Sequence, residues 1–314
     1  MSLYRNQLPQ LAGGLFVTDG GLETDLIFHD GYQLPQNASY VLLDDPAGVD
    51  RLKRYFDDYI GIAGGYGLGI VLETATWRAN SDWADKIGTS PEALAALNRK
   101  GVEMLVAMRQ QRAADAPPLV VSGCIGPRSD AYQPTGIMTP REAEDYHAVQ
   151  INTLRDTEAD MISAFTLTNI PEAIGIARAA RAAQMPVAIS ITVETDGRLP
   201  TGPTLREAID RVDAETDGTP VYYMINCAHP THFANIFEAG EPWQERIRGL
   251  RANASTKSHA ELDEATELDA GDPADLGARY AALRAELPQL NVLGGCCGTD
   301  QRHIAAISSA WSRN

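Results

Sequence analysis

Gly69-Ile70-Val71-Leu72-Glu73-Thr74, then Ser90-Pro91 leading into Leu94, Leu97, Gly101, Met104 and Met108, then Leu119-Val120-Val121-Ser122-Gly123: reading this stretch decides the fold. Its two ends are short and almost continuously apolar, the pattern of parallel strands covered on both faces. Between them the apolar positions step by three and four, which puts them on one face of a helix. Ser90 before Pro91 is a capping side chain followed by a proline at the first helical position, where its missing N–H costs nothing. The unit is strand, helix, strand.

Working outward, the same unit repeats along the chain. Apolar runs at 15–18, 161–166, 187–193, 221–226, 247–251 and 291–294 join those at 69–74 and 119–123, although the run at 247–251 is interrupted by arginines. Thr139-Pro140 and Asp272-Pro273 signpost further helix starts, Thr139 with Glu142 and Thr204 with Glu207 fit the capping box, and Leu276, Tyr280, Leu283 and Leu287 repeat the helical period. Eight strands, each followed by a helix, predict an α/β fold of the (β/α)8 TIM-barrel type, and with no linker rich in Gly, Pro or Ser the expectation is a single domain over residues 1–314. A doubly wound open sheet is the second architecture compatible with the alternation.

Composition narrows the function. Of 314 residues, 26 are Lys or Arg and 42 are Asp or Glu, a net charge of −16. Such a balance repels phosphate backbones and anionic lipid, so neither nucleic acid nor a membrane surface is expected as a partner. No apolar run reaches the roughly 18 residues of a membrane span, and the first ten residues lack the apolar stretch of a secretory signal. The expectation is a cytoplasmic protein, where cysteines serve as ligands or nucleophiles more often than as disulfides. One acidic concentration stands out: 258–278 has seven carboxylates and no Lys or Arg. It reads as a solvated loop before the last helices, without the spaced Asp/Asn–Gly pattern of a calcium loop.

In a (β/α)8 barrel the loops after the strands converge on one rim, and that rim carries the chemistry. Three of the four cysteines fall there: Cys227 in Asn226-Cys227-Ala228-His229-Pro230, and Cys296 with Cys297 in Gly294-Gly295-Cys296-Cys297-Gly298-Thr299. Three sulfurs around one point are the donor set of Zn²⁺, and with only three the fourth position stays open, as in catalytic rather than structural sites. Cys124 also ends a strand and reads as a buried small hydrophobe. His229 is a further candidate ligand or supporting group.

The motifs Asp19-Gly20-Gly21-Leu22-Glu23-Thr24, Ile225-Asn226-Cys227-Ala228-His229-Pro230 and Gly294-Gly295-Cys296-Cys297-Gly298-Thr299 resemble the homocysteine S-methyltransferase family, with further agreement at 122–127 and 190–205. The resemblance implies a (β/α)8 barrel, zinc on Cys227, Cys296 and Cys297, and homocysteine's thiol in the open position, where coordination makes it a thiolate. That thiolate attacks a methyl group on a sulfonium or ammonium donor, such as S-methylmethionine, S-adenosylmethionine or a betaine-like compound, giving methionine. Asp19 and the backbone of Gly20 match the element holding the amino-acid end of homocysteine. The partners implied are a small-molecule thiol and a methyl donor, with a homo-oligomer left open.

Two positions depart from the family pattern. Its fourth strand ends in Glu-Thr-x-Pro, the Glu binding the substrate ammonium; here Thr168-Asn169-Ile170-Pro171 stands, so Thr168 replaces the carboxylate. Ala75 replaces the Asn of Glu-Thr-Asn-Thr. Either Asp19, Glu73 or Glu194 takes over the ammonium, or the acceptor is another thiol or selenol. Glu73, Thr168, Asn169, Glu194 and Asn253 are the strand-end candidates for holding substrate, and Trp77 for facing a cationic donor. The competing class is a zinc–thiol module that binds or senses without turnover; a zinc hydrolase is disfavoured by the sulfur-rich donor set and the lack of an HExxH motif.

Overall fold

The structure, a computed structural model, describes residues 2–312 except 133 and 239. Positions 1, 133, 239, 313 and 314 of the domain expected over 1–314 lie outside the described residues. Eight parallel strands, β1 (Phe16–Val17), β2 (Gly69–Glu73), β3 (Leu119–Ile125), β4 (Met161–Leu167), β5 (Val187–Ile191), β6 (Tyr222–Asn226), β7 (Ile247–Ala252) and β8 (Val292–Gly295), close into a barrel in sequence order. β8 pairs back onto β1, Phe16 opposite Val292 and Val17 opposite Leu293. The fold is the expected (β/α)8 barrel, and each strand lies within two residues of its expected bounds.

Alternation along the strands separates two apolar layers. Phe16, Val71, Val120, Cys124, Met161, Phe165 and Tyr222 belong to the cluster inside the barrel, whereas Val17, Ile70, Leu72, Val121 and Ile162 pack outward with the helices. Cys124 is thus part of the interior filling, and burial pushes its thiol well above the ordinary range. The N-terminal segment seals the base: Leu3 and Tyr4 donate their backbone N–H groups to the buried Asp160 carboxylate, each at 2.8 Å, and Leu8 packs into the interior cluster.

The helix starts follow the sequence signals. Thr139 with Glu142 and Thr204 with Glu207 form complete capping boxes, and Ser90 accepts the Ala93 N–H. The regular alternation fails once. Among the described residues β6 is followed not by an α-helix but by three short 3₁₀ turns, Pro230–His232, Ala234–Ile236 and Pro242–Arg246. Pro230 and Pro242 each start such a turn and deny it a backbone donor, and the stretch between β6 and β7 has no helical apolar period to override them.

The helices Pro140–Arg155 and Ile170–Ala182 touch backbone to backbone at Gly175, where an added Cβ would sit 2.6 Å from the Glu144 nitrogen and against Ala143. Gly175→Val is expected to destabilise by about 2 kcal/mol through overpacking, read as a fall in Tm of roughly 3 °C. An unchanged Tm would show that this contact is not tight.

Candidate active site

Cys227 is the first residue beyond β6, and Cys296 and Cys297 the first two beyond β8; β7 runs between those strands. Parallel closure therefore brings three thiols from positions 69 residues apart to one rim, with all three sulfurs within 4.8 Å of one another. The Cα atoms of Cys227 and Cys296 are 5.4 Å apart, so their sulfurs meet at one point beside that of Cys297. Among the described residues no His or carboxylate joins the cluster. His229 instead caps the Pro230–His232 turn, its Nδ1 accepting from the Thr231 N–H, and burial lowers it to about 4. A set of three sulfurs, with Cys227 buried and the adjacent pair partly open, fits a thiolate metal site with a free position.

The local backbone is held in an unusual shape. Cys227 has φ +55° and Thr166, on an irregular segment of β4, has φ +61°, both in the left-handed region that L residues avoid. Asn226 locks the two together: its Oδ1 accepts from Thr166 N and Ser190 Oγ, and its Nδ2 donates to Thr166 Oγ1 and to the Cys227 sulfur at 3.2 Å. The Cys227 carbonyl accepts from Asn253 Nδ2 at 2.9 Å and from His259 Nε2 at 2.6 Å. Gly298, at φ +77°, turns the chain after the cysteine pair, and its missing side chain leaves room for the Asp269 carbonyl. Strain of this kind persists because the surrounding hydrogen bonds over-determine it.

The sulfurs open into a cavity of about 430 Å³ at the C-terminal ends of the strands. Asp19, Gly20 and Glu73 line it together with the three cysteines. Thr168, Asn169 and Glu194 lie outside its lining: Thr168 is fully buried with its carbonyl accepting from Thr201, Asn169 caps the helix Ile170–Ala182, and Glu194 is engaged by His259 Nδ1 at 3.2 Å. Trp77 lines the cavity, but the Arg78 guanidinium lies 4.2 Å over its ring. Seven carboxylates (Asp19, Glu23, Glu73, Asp130, Asp263, Glu267 and Asp269) face the cavity against two guanidiniums, Arg78 and Arg251. The acidic stretch 258–278 is therefore a wall of the cavity mouth, through Leu262, Asp263, Glu267 and Asp269, and not only a solvated loop.

Three groups here are not evident from sequence reasoning. Arg251, which interrupts the apolar run of β7, points inward: its Nε donates to the Gly295 carbonyl, its Nη2 to the Gly20 carbonyl, and its Nη1 pairs with Asp19 at 2.8 Å. The arginine within an otherwise buried strand was the available signal. Burial alone would lower Arg251, but Asp19 and Glu73 outweigh it and hold the guanidinium above its ordinary range. Burial pushes Asp19 up, while Arg251 and a hydrogen bond from Tyr55 restrain it. The second group is His259, stacked on Tyr132 with ring centres 4.1 Å apart; the third is Tyr132 itself, its hydroxyl 3.7 Å from the Cys297 sulfur. Neither carries a sequence signal: Tyr132 sits in the loop after β3, and His259 opens the short helix His259–Asp263.

Glu73 is the least satisfied acid of the floor. It is buried, its Oε2 has no hydrogen-bond partner, and burial raises it from an ordinary 4.5 to about 7 against the pull of Arg251. Between those two values the folded chain binds the proton that the unfolded chain has released, so this group makes stability fall as pH rises from about 4.5 to 7. Glu73→Gln is expected to flatten that fall, by at most about 3 kcal/mol. Urea unfolding of both proteins at pH 4.5 and 7.5 checks this, and parallel curves would contradict it.

Solved structures of similar fold come from Escherichia coli. The oxidised form of homocysteine methyltransferase MmuM is 20% identical, with 98% of this chain and 99% of that one covered at a TM-score of 0.75. The metallated form, also 20% identical, covers 98% and 100% at a TM-score of 0.73. At this identity the likeness concerns the fold. Residues 16–311 match the family model described as homocysteine S-methyltransferase.

Proposed function

The chain belongs to the homocysteine S-methyltransferase family and is a methyltransferase, and we propose that it moves a methyl group from a cationic sulfonium or ammonium donor to the thiol of homocysteine, with zinc held by Cys227, Cys296 and Cys297. One observation carries this reading: three cysteine sulfurs within 4.8 Å of one another open onto a cavity faced by seven carboxylates. Sulfur donors select zinc over hard cations, and a cavity of that charge favours a positively charged donor.

Zinc on the three sulfurs would supply the positive charge that keeps an acceptor thiol, ordinarily protonated at neutral pH, in its thiolate form. The chain's residues do the rest. Burial pushes the Cys297 thiol up, so a cation is needed for it to serve as a ligand. Asn226, Asn253 and His259 hold the Cys227 turn in its left-handed shape and aim its sulfur at the cavity. Asp19 and the Gly20 backbone take the amino-acid end of the acceptor, and the unpartnered Glu73 oxygen takes the ammonium that Thr168 cannot. The acceptor sulfur forms a bond to the methyl carbon as the donor's carbon–sulfur or carbon–nitrogen bond breaks in line; that electron pair leaves on the neutral thioether or amine, and the thiol proton goes to solvent. A cytoplasmic setting would keep the cysteines reduced for this role.

A second reading is favoured by Thr168 and by the pairing of Asp19 with Arg251: the acceptor is a different small thiol or a selenol. A donor-by-acceptor matrix on reduced, zinc-loaded protein, followed by mass spectrometry, separates the two, and turnover with neither acceptor class would overturn both readings. Cys296→Ala is expected to hold less than about a tenth of a zinc per chain with the far-UV spectrum unchanged, and to lose transfer by at least about 100-fold; one zinc per variant chain would contradict the assignment. With a cationic donor, kcat/KM is expected to fall as salt screens the acidic mouth, and the fall should be shallower in Asp263→Asn/Glu267→Gln. A salt response identical to wild type would remove the acids from donor capture.

A further inference from the structure

Among the described residues, Arg78 is the one cavity cation whose hydrogen-bonding capacity is left over. It follows β2, is 6% exposed and lines the cavity. Its guanidinium is clamped between two indoles, 4.2 Å from the Trp77 ring centre and 3.7 Å from that of Trp83. Its Nη1 makes one long hydrogen bond, 3.4 Å to the Ser129 carbonyl, and its Nε, although buried, has no partner. Among the described residues no carboxylate forms an ion pair with it. Arg251 is the contrast: each of its nitrogens is used, on Gly295, Gly20 and Asp19.

A buried charge left this way is expensive unless a counter-charge arrives. Stacking fixes the plane of the fork in advance, so its N–H groups are presented at little further ordering cost, and a planar fork matches a carboxylate in two hydrogen bonds. The surrounding acids set the ligand's charge: a phosphate ester would be repelled, whereas a carboxylate on a molecule that also bears one cationic group or more is neutral or positive overall. Position separates donor from acceptor. Arg251 interacts electrostatically with Asp19, Glu73 and Cys124 at the strand ends, and Arg78 with Asp130 and Tyr132 of the loop after β3, while Glu23 lies between and feels both guanidiniums. Resting on the methyl-transfer reading above, we propose that Arg78, framed by Trp77 and Trp83, binds the carboxylate of a zwitterionic methyl donor and makes that carboxylate a specificity requirement.

The test uses the whole reduced, zinc-loaded chain and two probes that share one sulfonium: S-methylmethionine, and its carboxamide analogue S-methylmethioninamide. Calorimetry on wild type is expected to show the carboxylate form binding about 10- to 100-fold more tightly. Arg78→Gln should erase that ratio by weakening the acid while leaving the amide unchanged, and Arg78→Lys, which keeps the charge without the stacked fork, should restore part of it. The KM of the thiol acceptor should stay at its wild-type value in both variants. Equal binding of the two probes by wild type overturns the proposal without needing a folded variant, as does a rise in acceptor KM in place of donor Kd. Binding of neither probe also overturns it, and transfer from another donor in that case would leave the methyl-transfer reading standing.

Discussion

A single guanidinium ties the barrel's seam. β1 has only two residues, so the ladder that closes β8 onto it is short. Arg251, at the end of β7, reaches across to Gly295 of β8, to the Gly20 carbonyl and to Asp19, both just beyond β1. Hydrogen bonds to a buried charge are stronger than neutral ones, and a buried pair that lost one partner would leave the other charge uncompensated. The same contacts stretch from the cysteine-bearing end of β8 to the Asp19 loop, so barrel closure and site geometry depend on one side chain.

From that tie the rest of the site follows by adjacency. β6, β7 and β8 are neighbours, which puts Cys227 beside Cys296 and Cys297. The left-handed turns at Thr166 and Cys227 are held by Asn226, and the Cys227 carbonyl by Asn253 and His259. Sulfur, acid and aromatic groups then share one cavity: a corner of three sulfurs, an acidic field at the mouth, and an arginine framed by Trp77 and Trp83 on the wall. Of the 42 acids whose surplus in the composition meant only repulsion from anions, seven line this one cavity.

Much of this was legible in the residues. The helix starts at Ser90, Thr139, Thr204 and Asp272 cap as their side chains dictate, because capping is decided within four residues. The missing helix after β6 was less legible, since counting repeats assigns a helix to every crossover whether or not the local period supports it. Thr168, Asn169 and Glu194 stand at strand ends as expected but turn away from the cavity, Asn169 to cap a helix and Glu194 to meet His259. A strand-end position alone does not say which way a side chain points when the strand is irregular, as β4 is between Ala164 and Leu167.

By itself, the sequence determined the elements, their order and the three thiols, because apolar period, caps and cysteine chemistry are local properties. Only the tertiary structure decided which charges are spent and which are spare. Arg251 and Arg78 are both arginines near strand ends, yet one is saturated by Asp19, Gly20 and Gly295, and the other is stacked with an Nε that has no partner among the described residues. Asp19 and Glu73 are both floor carboxylates, yet one has an arginine partner and the other an orphaned oxygen with its proton affinity raised by burial. Pairing and desolvation depend on atoms brought together from across the chain, and no local pattern encodes them.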